Sequence, residues 1–397
     1  MSDLALHGGE PVCRTRLGYG HQYIDEDDIQ AVVEVLKSDF LTCGPKVTAL
    51  ETALCKQTGA VHSTAVSNGT AALHVACLAA GIGPEDEVIT TPITFAASAN
   101  AVLYCGGKPV FADIDPKTYT IAPAAIERCV TERTKAIIAV DFTGAACNYD
   151  AIRTICEKHH LLLIEDAAHS IGTTYRGTPV GGIADLTTFS FHPVKTITAG
   201  EGGAVLTKDI ALAKRIELFA KHGITRDPAL LQEQGNSNWY YEQLTLGYNY
   251  RMTDIQCALA LSQLQKLEHF AARRRELVRR YDEAFSEMPE IIVQSEVEGS
   301  DTVRHLYILH LDLSRLICGR KEFYDAMQAE NIGVNVHYIP IYWFPYYQSL
   351  GYRRGLCHNA EEYYESSMTL PLYYSMSDQD QEDVIRAVKK VVKYYRK

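Results

Sequence analysis

A lysine at position 195 closes the run Phe189-Ser190-Phe191-His192-Pro193-Val194-Lys195, and Gly200-Glu201-Gly202-Gly203 follows it. Upstream, the apolar run Leu161-Leu162-Leu163-Ile164 ends in Glu165-Asp166. A lysine amine that can form a Schiff base, together with a carboxylate at a strand end, is the pair that pyridoxal 5′-phosphate chemistry requires. The amine holds the aldehyde carbon. The carboxylate, Asp166, keeps the pyridine nitrogen protonated so that the ring can accept electrons, and beside that cation it is expected to stay ionised. Taken alone, a lysine after a strand reads as a snorkelling or ion-paired residue. The case for the cofactor rests on the residues that accompany it.

Asn68-Gly69-Thr70 precedes the small-residue stretch Ala71-Ala72-Leu73-His74-Val75-Ala76. Free N–H groups and the helix dipole make such an end a phosphate site, although asparagine and threonine are also ordinary caps. Ser190 reads as an ordinary strand-end hydroxyl or, five residues before Lys195, as one placed to reach the same phosphate. His169, just past Asp166, is placed to stack on a flat ring or meet its phenolic oxygen, against a buried, satisfied histidine as the plain alternative. Phe95 in Thr91-Pro92-Ile93-Thr94-Phe95 is placed to cover the other ring face, or else to fill the core. His159-His160 reads as a helix end, with no partner at metal spacing. Neither a dinucleotide fingerprint nor a Walker-type loop occurs.

These residues need a scaffold that brings them together. From about residue 60 to 210, β-rich runs alternate with helical stretches, which predicts an α/β fold with a parallel sheet. The expected strands are 63–66, 87–90, 109–112, 136–140, 161–164 and 203–206, with helices at 71–80 and 149–159. Open α/β sheets bind ligands at the carboxyl ends of their strands, where Asn68-Gly69-Thr70, Asp166 and Ser190 fall. A long charged helix is expected over 255–285, its Arg273-Arg274-Arg275 and Arg279-Arg280 forming mainly a solvated face. It leads into a smaller C-terminal α/β domain with a strand at 304–313 and helices at 321–330 and 378–395. Residues 331–352, rich in aromatics and proline, cannot form one regular element.

At 397 residues, with 47% hydrophobic and 22% charged residues, the chain can bury a large core. A net charge of -11 argues against nucleic acid or an anionic membrane as partner. Eleven scattered cysteines without a Cys-x-x-Cys pair predict reduced thiols, with neither a disulfide framework nor a metal site. The start Met1-Ser2-Asp3-Leu4-Ala5 does not read as a secretion signal, and no apolar run approaches membrane-spanning length, so a cytoplasmic protein is expected.

Together these residues resemble the DegT-type sugar-nucleotide aminotransferases. The markers are Ser67-Asn68-Gly69-Thr70-Ala71-Ala72-Leu73, Glu165-Asp166-Ala167-Ala168-His169, the segment 189–195, Gly200-Glu201-Gly202-Gly203, and Gly247-Tyr248-Asn249-Tyr250-Arg251-Met252-Thr253. Within the family, the stretches 192–198, 221–226 and His337-Tyr338-Ile339-Pro340 are most similar to the members that build the 4-amino sugar of pseudaminic acid. The resemblance implies the type I pyridoxal-phosphate (aspartate aminotransferase) fold, with an N-terminal segment 1–19, a large cofactor domain over 20–265 and a small domain over 266–397. It also implies roles. Lys195 and Asp166 are catalytic, and Asn68, Gly69, Thr70, Phe95, His169, Ser190 and Asn249 bind cofactor, Asn249 from the neighbouring subunit of a homodimer. Tyr19, Asp39, Phe40, Leu41, Thr42, His337 and Tyr338 line the substrate site. The implied substrates are L-glutamate and a UDP-4-keto-6-deoxy-N-acetyl sugar. A D-configured bacillosamine-type precursor is the alternative substrate. A sugar dehydratase and a non-catalytic binder are rival readings, but the dehydratases carry histidine where this chain has Lys195. Tyr342-Trp343-Phe344 is bulkier than the family pattern, which bears on the contacts to the nucleotide.

Overall fold

The computed structural model describes residues 4–233, 237 and 239–397, so residues 1–3 of the expected N-terminal segment lie outside it. Its centre is a seven-stranded sheet built from β1 (His62–Val66), β2 (Glu87–Thr90), β3 (Lys108–Phe111), β4 (Thr134–Val140), β5 (Leu162–Asp166), β6 (Leu186–Ser190) and β7 (Gly203–Thr207). Their order across the sheet is β1-β7-β6-β5-β4-β2-β3. Strand β7 runs antiparallel to both β1 and β6; the other neighbours pair in parallel. Parallel strands are covered on both faces, which accounts for their unbroken apolar runs. Ala136, Ile138 and Ile164 pack into one buried cluster, whereas Ile137, Ala139 and Leu163 pack into another. The alternation along each strand therefore serves two cores.

Strands β1, β5 and β6 end beside one another, and that placement brings the chemistry-bearing residues together. The helix Gly69–Ala79 starts directly after β1, capped by Asn68, whose Oδ1 accepts from the Ala71 N–H at 2.8 Å. Its alanines let it lie close on the sheet. Two glycines are obligatory for the approach. A Cβ on Gly69 would stand 2.8 Å from Ser190 Cβ, and one on Gly203 would stand 2.7 Å from both the Asn68 and the Phe189 carbonyl oxygens. The glycines after Lys195 thus let β7 pass beneath the capped helix.

The expected single helix over 255–285 is two helices, Asp254–Gln265 and Leu267–Phe285, meeting at Lys266. There the Lys266 ammonium pairs with Asp25 and with Asp28, the latter at 3.0 Å. The arginine run also divides. Arg273, Arg275, Arg279 and Arg280 make surface ion pairs, but Arg274 is buried. Its Nη1 donates to the carbonyls of Arg304, His305 and Leu372 at 3.2–3.4 Å. Helical periodicity explains the exception. Arg274 lies on the same face as Phe270, Ala271, Leu277 and Tyr281, all buried.

The C-terminal part packs strands Tyr307–Leu311 and Ser367–Leu370 against helices Arg320–Ala329 and Asp378–Tyr395. Leu4, Cys13 and Leu17 join that same core. The buried Glu330 carboxylate accepts from the Ala5 and Val12 N–H groups at 3.0 and 2.9 Å, fastening the N-terminal segment to this part of the chain. The segment then runs beside Ile332 to Tyr19, whose carbonyl accepts from the Leu372 N–H at 3.1 Å. No helix among the described residues is long and apolar enough to cross a membrane.

Candidate active site

A cavity of about 850 Å³ opens where β1, β5 and β6 end. Of the residues expected to hold a cofactor, Asn68, Gly69, Thr70, Phe95, Asp166, His169, Ser190 and Lys195 line it. Of those expected to meet substrate, Tyr19, His337 and Tyr338 line it. Asn249 and Asp39-Phe40-Leu41-Thr42 do not; all five are exposed outside the cavity of their own chain. The 39–42 segment meets the chain just after Asn249, where Thr42 pairs with Thr253 and the Asp254 N–H donates to the Leu41 carbonyl at 3.0 Å, and Asn249 itself pairs with Lys221.

Asp166, the last residue of β5, is buried. Its Oδ2 accepts from Ser98 Oγ at 2.7 Å and its Oδ1 from the Ala168 N–H at 3.2 Å. Burial pushes its carboxyl above the usual range, opposed by these two hydrogen bonds and by the Lys195 charge. Glu165, its neighbour, points to the other side of the sheet, where Thr187 Oγ1 and the Gly181 N–H donate to it. Lys195 is the reciprocal case. Desolvation pulls its ammonium down to about 8, with Asp166 resisting. The amine is therefore a far better nucleophile and base near neutral pH than an ordinary lysine.

At the phosphate end, Asn68 is occupied as the cap. The Gly69 and Thr70 N–H groups have no partner among the described residues, and Ser190 stands against Gly69. Three buried histidines, His169, His305 and His337, surround the rest of the space. Burial and the Lys195 charge hold all three well below the usual imidazole range. The His169 and His305 rings are 4.5 Å apart, and the Nδ1 of each is buried without a partner among the described residues. Tyr338 lies parallel to His169, with ring centroids 6.4 Å apart, and Phe95 is exposed at the mouth.

Ser98, His305 and Asn335 belong to this site and carry no local signal in the chain. Ser98 lies on a helix of small residues, and His305 and Asn335 come from the C-terminal part. The Tyr342-Trp343-Phe344 departure lies outside the cavity lining, and Tyr342 Oη and Trp343 Nε1 both donate to Glu361 at 2.7 and 3.1 Å.

Pyridoxal phosphate fits these residues. An unpaired helix N-terminus with a hydroxyl beside it suits a phosphate, a buried carboxylate suits a pyridinium, and a lysine of lowered pKa suits an aldehyde.

Comparison with known proteins agrees. The model of the DegT/DnrJ/EryC1/StrS aminotransferase family matches residues 22–389. The chain is 43% identical over 379 residues to the spore coat polysaccharide biosynthesis protein SpsC of Bacillus subtilis (strain 168), covering 95% of this chain and 97% of that one. It is 38% identical over 364 residues to the UDP-4-amino-4,6-dideoxy-N-acetyl-beta-L-altrosamine transaminase of Campylobacter jejuni, covering 91% and 94%. Among solved structures, Helicobacter pylori PseC, an aminotransferase involved in pseudaminic acid biosynthesis, superposes with a TM-score of 0.89 at 32% identity, covering 96% of this chain and all of that one. The PLP-form of the Streptococcus pneumoniae sugar aminotransferase Spr1654 gives 0.88 at 31%, covering 96% and 99%.

Proposed function

Because the chain belongs to the DegT/DnrJ/EryC1/StrS aminotransferase family, we propose that it moves an amino group from L-glutamate to C4 of a UDP-4-keto-6-deoxy-N-acetyl sugar. The sugar is UDP-2-acetamido-2,6-dideoxy-β-L-arabino-hexos-4-ulose and the product UDP-4-amino-4,6-dideoxy-N-acetyl-β-L-altrosamine. The observation that carries the chemistry is Lys195 and buried Asp166 lining one cavity with an unpaired helix N-terminus. The sugar is supported by the likeness to the Campylobacter transaminase and to PseC.

The enzyme is a sugar aminotransferase whose cofactor is pyridoxal phosphate. When bound, that group supplies an aldehyde that takes up the amine and an electron-poor ring that stabilises charge at the reacting carbon. Gly69, Thr70 and Ser190 would hold its phosphate. Asp166, held by Ser98, would pair with a protonated ring nitrogen, a positive charge that suits a buried carboxylate. His169 and Phe95 would contact the ring. Lys195 Nζ takes the proton from the α-carbon of L-glutamate, and a neutral amine is required for this, which desolvation provides. In the second half-reaction Lys195 delivers a proton on the path that leaves an amine at C4 of the sugar. The exposed Asn249 and Asp39-Phe40-Leu41-Thr42, outside their own cavity, complete the partner's site in a homodimer.

Purified enzyme supplied with L-glutamate and, separately, the L-arabino and D-xylo 4-keto sugar nucleotides tests the substrate. A 4-amino product formed mainly from the L-sugar is expected. Amination of the D-sugar alone overturns this substrate and leaves the aminotransferase chemistry in place.

A further inference from the structure

We infer that Asn335 is a specificity-determining residue: a pre-oriented pair of N–H donors that grips an acceptor oxygen of the substrate. The acceptor is a carboxylate of the amino donor or the N-acetyl carbonyl of the sugar. The inference rests on the transamination reading above.

Three observations carry it. First, the orientation of the Asn335 amide is set by chemistry. The Val336 N–H can only donate, and it meets Asn335 Oδ1 at 2.8 Å, so the oxygen faces the backbone and Nδ2 is turned away. Nδ2 has no partner among the described residues and is not among their buried unpaired atoms, so it is accessible, and Asn335 is one of the residues that line the cavity.

Second, the residue is rigidly mounted. Its backbone N–H donates to the Thr369 carbonyl at 3.2 Å, and its carbonyl accepts from the Thr369 N–H at 2.7 Å. Thr369 Oγ1 also contacts His337 Nδ1 at 2.7 Å, and Tyr19 lies with its ring 5.5 Å from that of His337. One residue of a buried strand therefore sets both Asn335 and His337.

Third, the cavity is poor in positive charge. Lys195 is the one lysine or arginine among the described residues that line it, and it is committed to the reaction. Acceptor oxygens on the substrate must then be met by neutral donors. A site built to hydrogen-bond rejects a ligand that leaves its donors unpaired, which makes such a donor selective.

The test uses Asn335→Asp and Asn335→Ala in the cofactor-loaded enzyme, with the two half-reactions measured separately by the visible absorbance of the cofactor. Asn335→Asp keeps an acceptor for the Val336 N–H and replaces the donors with a second acceptor. The alanine variant should lower kcat/KM about tenfold in one half-reaction, as expected for one lost hydrogen bond, and the aspartate variant more, because acceptor then faces acceptor. The other half-reaction should stay within about twofold in both variants. Loss with L-glutamate identifies the carboxylate, and loss with the 4-keto sugar identifies the N-acetyl carbonyl. Wild-type kcat/KM in both half-reactions overturns the inference, as does an equal fall in both accompanied by a lower Tm, which would mean a structural role. If the wild-type enzyme itself performs neither half-reaction, the transamination reading fails instead.

Discussion

At the scale of single residues, burial tunes two opposite charges, those of Lys195 and Asp166. Lys195 is pulled down from 10.5 to about 8 by desolvation. In the cofactor-free protein, brief acetylation followed by peptide mass spectrometry should show Lys195 gaining reactivity with a midpoint near pH 8, while exposed lysines follow near ~10.4. The linkage has a definite sign. Between about 8 and 10.5 the unfolded chain binds this proton more tightly than the folded one, so stability rises with pH across that window. Below it, the penalty is fully present. Lys195→Ala should remove that rise as well as transamination. Asp166 depends on Ser98, whose hydroxyl meets it at 2.7 Å. Ser98→Ala should retain cofactor yet slow both half-reactions by about tenfold, read from single-turnover absorbance changes. Lys195 and Asp166 were legible in the chain because each closes a run that reads as strand-associated and the two chemistries complement each other. Ser98 was not, because a serine among alanines on a helix has no local mark of the carboxylate it meets.

At the scale of elements, the geometry depends on close approach. Gly203 lies where a Cβ would meet the Asn68 and Phe189 carbonyl oxygens at 2.7 Å, backbone atoms that cannot swing aside. Gly203→Ala should destabilise the fold by about 1–3 kcal/mol in urea titrations and weaken cofactor binding, since the displaced helix is the one proposed to hold the phosphate. The strand carrying Thr369 positions His337, whose imidazole is lowered from 6.5 to about 4 mainly by burial. The folded protein keeps this ring neutral while the unfolded chain protonates it. Stability therefore falls as pH drops through 6.5 to 4, by about 3 kcal/mol over the full window for this residue. His337→Gln should lack that portion of the fall when unfolding is compared at pH 7 and pH 4.5. Much of the element pattern could be read from period and composition, including the Asp378–Tyr395 helix to its ends. The break at Lys266 could not. It is tied to ion pairs with Asp25 and Asp28, residues distant in sequence. The burial of Arg274 follows from the helical period that sets it on the face of Phe270, Ala271, Leu277 and Tyr281, a pattern that the run of arginines hides when it is read as one charged face.

At the scale of the whole molecule, the chain builds most of a site and leaves part of its family's equipment outside. The residues proposed to meet the cofactor's phosphate and ring line one cavity with Lys195 within one chain. Asn249 and the 39–42 segment are exposed, with Phe40 at 53% and Leu41 at 47% of their surface in solvent. Their markers were readable in the sequence, but which chain's cavity they serve is a property of assembly, which local pattern does not encode. If they complete a neighbour's site, two inactive variants should rescue each other. Mixed Lys195→Ala and Asn249→Asp subunits, dissociated and reassociated, should recover roughly a quarter of wild-type activity, because half the dimers are hybrids and each hybrid has one intact site. Recovery of none would place Asn249 in its own chain's chemistry, and an Asn249→Asp variant that is active by itself would place it outside the site.

The measurement that most directly tests the central claim is borohydride trapping of the cofactor followed by peptide mapping, with and without prior L-glutamate. Cofactor mass is expected on the peptide containing Lys195, and it should disappear when L-glutamate has first taken the cofactor off the lysine. Label on another residue, or label on Lys195 that L-glutamate leaves unchanged, would contradict it.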